Sequence, residues 1–355
     1  MNQRIEKLRA ALSELEADAF ITEKAVNRRY LSGFTGSTGW VIVTRDESFL
    51  VTDFRYVDQA QEQAAGFTVV NNERKPVEAI VRLLQEHDVK RLAFESAVTY
   101  STYQDWNKSF GVELVPTNGL VEKLRMCKDE AELAVIRQAV RIADEAFQHI
   151  LSYIKPGVRE LDIALELEYF MRKQGADAAA FDIIVASGAR GALPHGRASE
   201  KVIQAGEMVT LDFGAAFGGY NSDITRTVSV GEPDPKMKEI YEIVLRAQQA
   251  GVAALRPGIT GKEADAVTRD IISAAGYGDQ YGHSAGHGLG MDVHELPNLS
   301  TISTFVLEPG MLVTMEPGIY ISGLGGVRIE DDCLITENGC EILTRSTKEL
   351  LILPV

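Results

Sequence analysis

The stretch IKPGVRELDIALELEYFMRKQGA at residues 154–176 has a counterpart, LRPGITGKEADAVTRDIISAAGY, at residues 255–277. Gly157 matches Gly258 and Gly175 matches Gly276 at one offset of 101. Self-similarity of this kind marks repeated structural units, each of which buries its apolar face against the other. Further on, GEMVTLD (206–212) aligns with GMLVTME (310–316) at an offset of 104, which puts Asp212 and Glu316 in register. Two copies of a helix, helix, strand-hairpin unit predict one α+β domain with a pseudo-twofold axis. Residues at equivalent places in the copies then face one another across it.

Upstream of the first copy, Leu133, Ile136, Val140, Ala143, Phe147, Ile150 and Ile154 recur every three or four residues. That spacing is one face of a helix, predicted from Asp129 to the stop at Lys155-Pro156-Gly157. About three heptads ended by Pro-Gly fit a helix lying on a sheet better than a coiled-coil seam. Before it, VELVPTNGL (112–120) carries Pro116 and Gly119 and places a domain junction near residues 120–126. The expected domains are 1–123 and 124–355. In the first, short apolar runs at 19–22, 40–43 and 48–52 alternate with helical patterns near 54–65 and 76–87, the signature of an α/β layer.

A chain of 355 residues, 45% hydrophobic and 25% charged, has the composition of an ordinary folded protein of about two domains. Lys plus Arg number 36 against 51 Asp plus Glu. The resulting net charge of -15 repels phosphate backbones, so no nucleic-acid partner is expected. Three cysteines without a CxxC pair suggest neither a disulfide framework nor a thiolate zinc site, and fit a reducing, cytoplasmic location. The first twenty residues read as a charged amphipathic helix, unlike a secretory signal. No run of about 18 uncharged apolar residues occurs, so neither a membrane span nor a membrane partner is expected.

The chemistry concentrates in two hairpins. In EMVTLDFGAAFGGYNSDITRTVSV (207–230), a turn centred at Phe217-Gly218 would pair Asp212 with Asp223, with side chains about 5 Å apart. Like charges that close require a proton or a cation between them. Alone, the pair also fits edge strands with carboxylates facing solvent. The second hairpin, GMLVTMEPGIYISGLGGVRIEDDCLI (310–335), repeats the arrangement, with Glu316 ending one strand and Glu330 within the return strand. Four converging carboxylates would destabilise the fold unless neutralised, and two divalent cations would offset them. Of six histidines, His195, His283, His287 and His294 lie between and beside these positions, whereas His87 and His149 sit in ordinary helical patterns. Glycines on both sides of His287 in GHSAGHGLGMDVHE (282–295) leave its imidazole in an open loop. One imidazole with four carboxylates suits Mn²⁺, Fe²⁺, Co²⁺ or Zn²⁺ without distinguishing them.

The strings FGAAFGGYNSDITRT, HSAGHGLGMDVHELP, VTMEPGIY and GGVRIEDD resemble the signatures of the pita-bread metallopeptidases, in particular the Xaa-Pro dipeptidase (prolidase) and aminopeptidase P branch. RYLSGFTGS (29–37) and LVTDFRY (50–56) are similar to the creatinase-type amino-terminal domain that accompanies it. The resemblance implies an α/β leading domain and a pita-bread catalytic domain. It implies two divalent ions per chain, Mn²⁺ foremost, then Co²⁺, Zn²⁺ or Fe²⁺, on Asp212, Asp223, His287, Glu316 and Glu330. Asp223 and Glu330 would bridge the ions, Asp212 would bind one, and His287 with Glu316 the other. A pair of ions about 3.5 Å apart generates hydroxide near neutral pH.

Glu316 would also shuttle a proton, His294 would stabilise the oxyanion, His195 would orient substrate and Arg328 would hold a carboxylate ligand. His283 reads as polar packing near the site. The implied substrates are small peptides with proline second, and the implied assembly is a homodimer. Some prolidases carry an arginine directly after HExP that suits a dipeptide carboxylate. This chain has Asn298 there, which leaves an aminopeptidase P type of activity open. A pita-bread binding protein without hydrolysis and a metal-free creatinase-like reaction are the remaining alternatives.

Overall fold

The computed structural model describes residues 2–355, which form two compact units, 2–125 and 126–355. The first contains helices α1 (Asn2–Glu14), α2 (Ala25–Ser32), α3 (Val57–Gln63), α4 (Pro76–Glu86), α5 (Tyr100–Ser109) and α6 (Leu120–Met126). Its strands are β1 (Ala19–Thr22), β2 (Trp40–Thr44), β3 (Ser48–Thr52), β4 (Thr68–Asn71), β5 (Arg91–Glu95) and β6 (Glu113–Thr117). They form one mixed sheet in the order β4-β3-β2-β1-β5-β6, antiparallel from β1 to β3 and parallel on either side. The central strands are buried along their length, as expected of strands covered on both faces by helices. Pro76 sits in the first turn of α4, where its missing N–H costs nothing, and Thr99 caps α5 by accepting from the Thr102 N–H.

The second unit opens with α7 (Glu130–Ile150), α8 (Glu160–Lys173), β7 (Ala178–Ala179) and β8 (Ile184–Ser187). It continues through β9 (Met208–Phe213), β10 (Ala215–Phe217), β11 (Tyr220–Asn221) and β12 (Ile224–Val230). The second repeat supplies α9 (Pro235–Ala254), α10 (Gly261–Ala274), β13 (Gly286–Gly288), β14 (Glu295–Leu299) and β15 (Leu312–Met315). It ends with β16 (Gly318–Ile321), β17 (Gly325–Arg328), β18 (Asp331–Thr336), β19 (Gly339–Ile342) and β20 (Ile352–Leu353). Helix α7 starts in a capping box, Asp129 accepting from the Glu132 N–H while Glu132 accepts from that of Asp129. It stops at Ile150, four residues before the expected end, as Tyr153 and Ile154 both donate to the Ile150 carbonyl in a tight turn. Ile154 remains buried even so.

The duplication is present in space. Gly157, Gly175 and Gly206 take positive φ, as do their counterparts Gly258, Gly276 and Gly310. The Gly157 N–H donates to the Ile203 carbonyl and the Gly258 N–H to that of Leu307. Isolated bridges link Arg159 with Val202 in one repeat and Thr260 with Val306 in the other. Each repeat lays its two helices on a sheet, β20-β12-β9-β8 in the first and β14-β13-β15-β18-β19 in the second. This is the pita-bread architecture, and the ends of the two sheets supply the site described below.

Two tertiary devices hold this arrangement. Arg226, buried on β12, reaches the Asp331 carboxylate at 2.8 Å and the Ser346 and Thr347 carbonyls at 2.7 and 2.9 Å. Gly214, between β9 and β10, lies under the return strand; a Cβ there would meet the Ser222 carbonyl oxygen at 1.8 Å. Because that neighbour is backbone, Gly214→Ala forces the hairpin apart, and an overpacking cost of about 2 kcal/mol is expected in urea unfolding. An unchanged midpoint would contradict the close packing of this hairpin.

Candidate active site

Asp212 stands near the end of β9 and Asp223 in the short link between β11 and β12. The strands pair Asp212 with Thr225, not with Asp223. The turn is Gly218-Gly219, closed by Phe217 opposite Tyr220, one residue beyond the expected centre. Both glycines have positive φ, 57° and 85°, which a two-residue hairpin turn of this type demands and which Phe217 would resist. The register is therefore displaced by two residues, which preserves the face of every side chain and leaves Asp223 diagonal to Asp212. The Asp223 N–H donates to Asp332 at 3.1 Å.

The second repeat contributes His287 from β13, Glu316 from the residue after β15, and Glu330 from the link between β17 and β18. Glu330 thus precedes the return strand instead of lying within it. Pro317 removes the donor that would continue β15, and the Glu316 N–H turns to the Ala285 carbonyl at 2.8 Å. Thr314 receives the His287 N–H at 3.0 Å and donates its hydroxyl to Glu316 at 3.2 Å. Thr225 likewise donates to Glu330 at 2.6 Å, while the Glu330 N–H binds the Thr225 carbonyl at 3.1 Å.

All five side chains line one cavity of about 590 Å³, together with His195, His283, His294, Asn298 and Arg328. His287 Nε2 lies 3.3 Å from Glu316 and 3.7 Å from Asp223, and its Nδ1 is 3.1 Å from the Gly288 carbonyl. Donation from Nδ1 to that carbonyl leaves Nε2 turned to the carboxylates. Donor atoms of Asp223, His287 and Glu330 lie within 4.8 Å of one another. Burial, then repulsion from neighbouring carboxylates, Glu330 and Asp212 for the first and Glu316 and Asp212 for the second, pushes the carboxyls of Asp223 and Glu330 well above the usual range. Burial also raises that of Asp212, against the opposing Arg328 charge. Glu316 is the exception: burial raises it, but the hydrogen bond and charge of His287 outweigh that and bring it to about 2. Of the two catalytic histidine candidates, His294 packs edge-on against His287 at 4.4 Å between ring centres, and His195 is exposed on the loop after a 3₁₀ turn.

Arg328 is buried, and four of its five N–H groups are engaged. It donates to Asp212 at 2.5 Å, to the Tyr320 hydroxyl at 2.8 Å, to Thr225 at 3.1 Å and to the Pro194 carbonyl at 3.2 Å. Tyr320 also meets His283 Nε2 at 2.9 Å. Sequence reasoning passed over Tyr320, Thr225, Thr314 and Asp332, although all four fall inside the motif strings. Their signal was positional: a hydroxyl two residues before Glu316, two after Asp223, and four after Glu316.

The chemistry of this donor set fits divalent cations. Asp212 Oδ1 and Asp223 Oδ1 are buried and have no hydrogen-bond partner. Two orphaned carboxylate oxygens in a cluster of four acids and one imidazole are costly alone and suitable as ligands.

With fold and site both described, the chain can be placed among known proteins: it belongs to metallopeptidase family M24, whose model matches residues 134–337, and residues 4–127 match the creatinase/prolidase N-terminal domain. Membership implies divalent metal. The chain is 42% identical to the Xaa-Pro dipeptidase of Pyrococcus furiosus, over 99% of this chain and 100% of that protein. A solved Xaa-Pro dipeptidase from Bacillus anthracis superposes with a TM-score of 0.98 at 52% identity, covering 99% of both chains. An X-Pro aminopeptidase from Thermotoga maritima gives 0.90 at 39%, covering 96% of this chain and 99% of that one.

Proposed function

We propose that this chain is a dinuclear metal-dependent exopeptidase that hydrolyses Xaa-Pro bonds, its catalytic domain spanning 124–355 behind a leading domain of 1–123. The observation that carries the reading is the convergence of three buried acids, the half-buried Glu316 and one imidazole in a single cavity. Asp212, Asp223, His287, Glu316 and Glu330 would hold two divalent ions, with Mn²⁺ the first candidate. Such ions supply, when bound, Lewis acidity and a water of lowered pKa.

The remaining steps belong to side chains. Glu316, held ionised, accepts the proton of the attacking water and passes it to the leaving proline nitrogen. His294, kept neutral by burial and by the neighbouring His287, donates its N–H to the oxyanion of the tetrahedral intermediate. His195 orients the peptide from the cavity rim. Arg328 fixes Asp212 and Tyr320 in place. A homodimer in the cytoplasm is the proposed setting. In the second reading, favoured by the neutral Asn298, the enzyme is an aminopeptidase P type acting on longer peptides.

The test is turnover of Ala-Pro, Ala-Pro-Ala and Ala-Ala after chelation and after Mn²⁺ is restored. Activity is expected only with metal, and at least about 10-fold faster on a proline substrate than on Ala-Ala. Full activity in the chelated protein, or equal rates on Ala-Ala, would overturn the proposal.

A further inference from the structure

We propose that Arg197 anchors the free carboxylate of a dipeptide substrate, so that the enzyme prefers Xaa-Pro to longer peptides; this rests on the Xaa-Pro reading above. The cavity needs a cation for that anion, and Asn298 supplies none. Among the described residues lining it, two carry fixed positive charge, Arg328 and Arg197. Arg328 is only 3% exposed and spends its guanidinium on Asp212, Tyr320, Thr225 and Pro194. Four of its five N–H groups are thereby taken, and its charge is already set against Asp212.

Arg197 is in the opposite condition. Its side chain is 76% exposed, and among the described residues it pairs with Asp182, 2.8 Å away and itself 68% exposed. Exposed pairs of this kind contribute little, so exchanging Asp182 for a substrate carboxylate is cheap. A guanidinium presents two parallel N–H groups to a carboxylate, a match that a neutral amide does not offer.

The backbone beneath Arg197 is fixed. Its N–H donates to the His195 carbonyl at 2.9 Å, its carbonyl accepts from Arg190 at 2.8 Å, and it bridges to Ile184. Gly196 packs closely enough that a Cβ would meet the Leu193 carbonyl at 3.0 Å. Arg197 is thereby held on the same tight turn as His195, the residue proposed to orient the peptide. A neighbouring groove of about 450 Å³ along α8 shares Phe181, Asp182 and Arg197 with the catalytic cavity. Arg197 and Asp182 therefore stand where the cavity gives way to the groove. A dipeptide carboxylate finds its partner at that border, whereas a longer peptide brings an uncharged amide to it.

The test compares the wild type with Arg197→Ala and Arg197→Lys on Ala-Pro, its amide Ala-Pro-NH₂ and Ala-Pro-Ala, with Mn²⁺ supplied. Arg197→Ala is expected to raise KM for Ala-Pro by about 10- to 100-fold, with kcat little changed and the amide unaffected. Arg197→Lys should recover part of the loss, and Asp182→Asn should lower KM for Ala-Pro. Unchanged amide turnover certifies the fold of the variant. An unaltered KM for Ala-Pro, or an equal rise for the amide, overturns the role of Arg197 and leaves the Xaa-Pro reading intact. A wild type that cleaves none of the three overturns both.

Discussion

Glu316→Gln is expected to lower kcat/KM on Ala-Pro by roughly 10³-fold, within the range of about 10² to 10⁴ that a positioned acid-base group supplies. The substitution preserves shape and hydrogen-bonding length. It removes the charge that His287 holds ionised at 3.3 Å and the basic oxygen that accepts the proton. A neutral amide oxygen is also a poorer ligand for a hard divalent ion, so metal retained after dialysis should fall below the wild-type content. Steady-state kinetics with metal analysis of the same sample reads both. Wild-type turnover at wild-type metal content would remove Glu316 from the mechanism.

The largest stability effect is expected one residue beyond Glu330. Asp331 is buried and receives Arg226 and Gln248 at 2.8 Å, Thr344 at 2.8 Å and Lys348 at 2.5 Å. Asp331→Asn keeps the volume but leaves the buried Arg226 guanidinium without its counter-charge. Breaking a buried pair from one side costs about 3 to 5 kcal/mol, which corresponds to a fall in Tm of roughly 10 °C for a domain of this size. Burial raises the Asp331 carboxyl, but Arg226 and Lys348 outweigh it and hold the group below its ordinary value. A carboxylate depressed in the folded state contributes stability above its unfolded pKa and loses it as pH falls through the folded one. The gap in Tm between wild type and variant should therefore be full at pH 7 and narrow progressively below about pH 4. Equal melting temperatures at pH 7, or a gap indifferent to acid, would count against this account.

Much of the architecture was legible because local pattern and tertiary structure agree. The runs at 19–22 and 48–52 coincide with β1 and β3, since strands covered on both faces read as unbroken apolar segments. The repeat was visible through its glycines, which occupy backbone conformations open to few other residues. The hairpin register was missed because a centre at Phe217-Gly218 overlooks that both central residues of this turn take positive φ, which Gly218-Gly219 supplies and Phe217 resists. The motifs exposed the acids and histidines that meet in the cavity. They did not expose Tyr320 or Asp332, whose partners Arg328 and Asp223 are set by the fold and not by spacing along the chain. Arg197 went unnoticed for a different reason: an arginine on an exposed loop is unremarkable until the other cation of the cavity is seen to be occupied.

The doubling of the catalytic domain has an implication for biosynthesis. A nascent chain that has emerged only as far as β12 carries Asp212 and Asp223 but neither the imidazole nor the two glutamates, which arrive from the later half. If these five residues are the ligands, as proposed, the full donor set exists only once the link before β18 has been made, so a complete cation site would be a late product of synthesis.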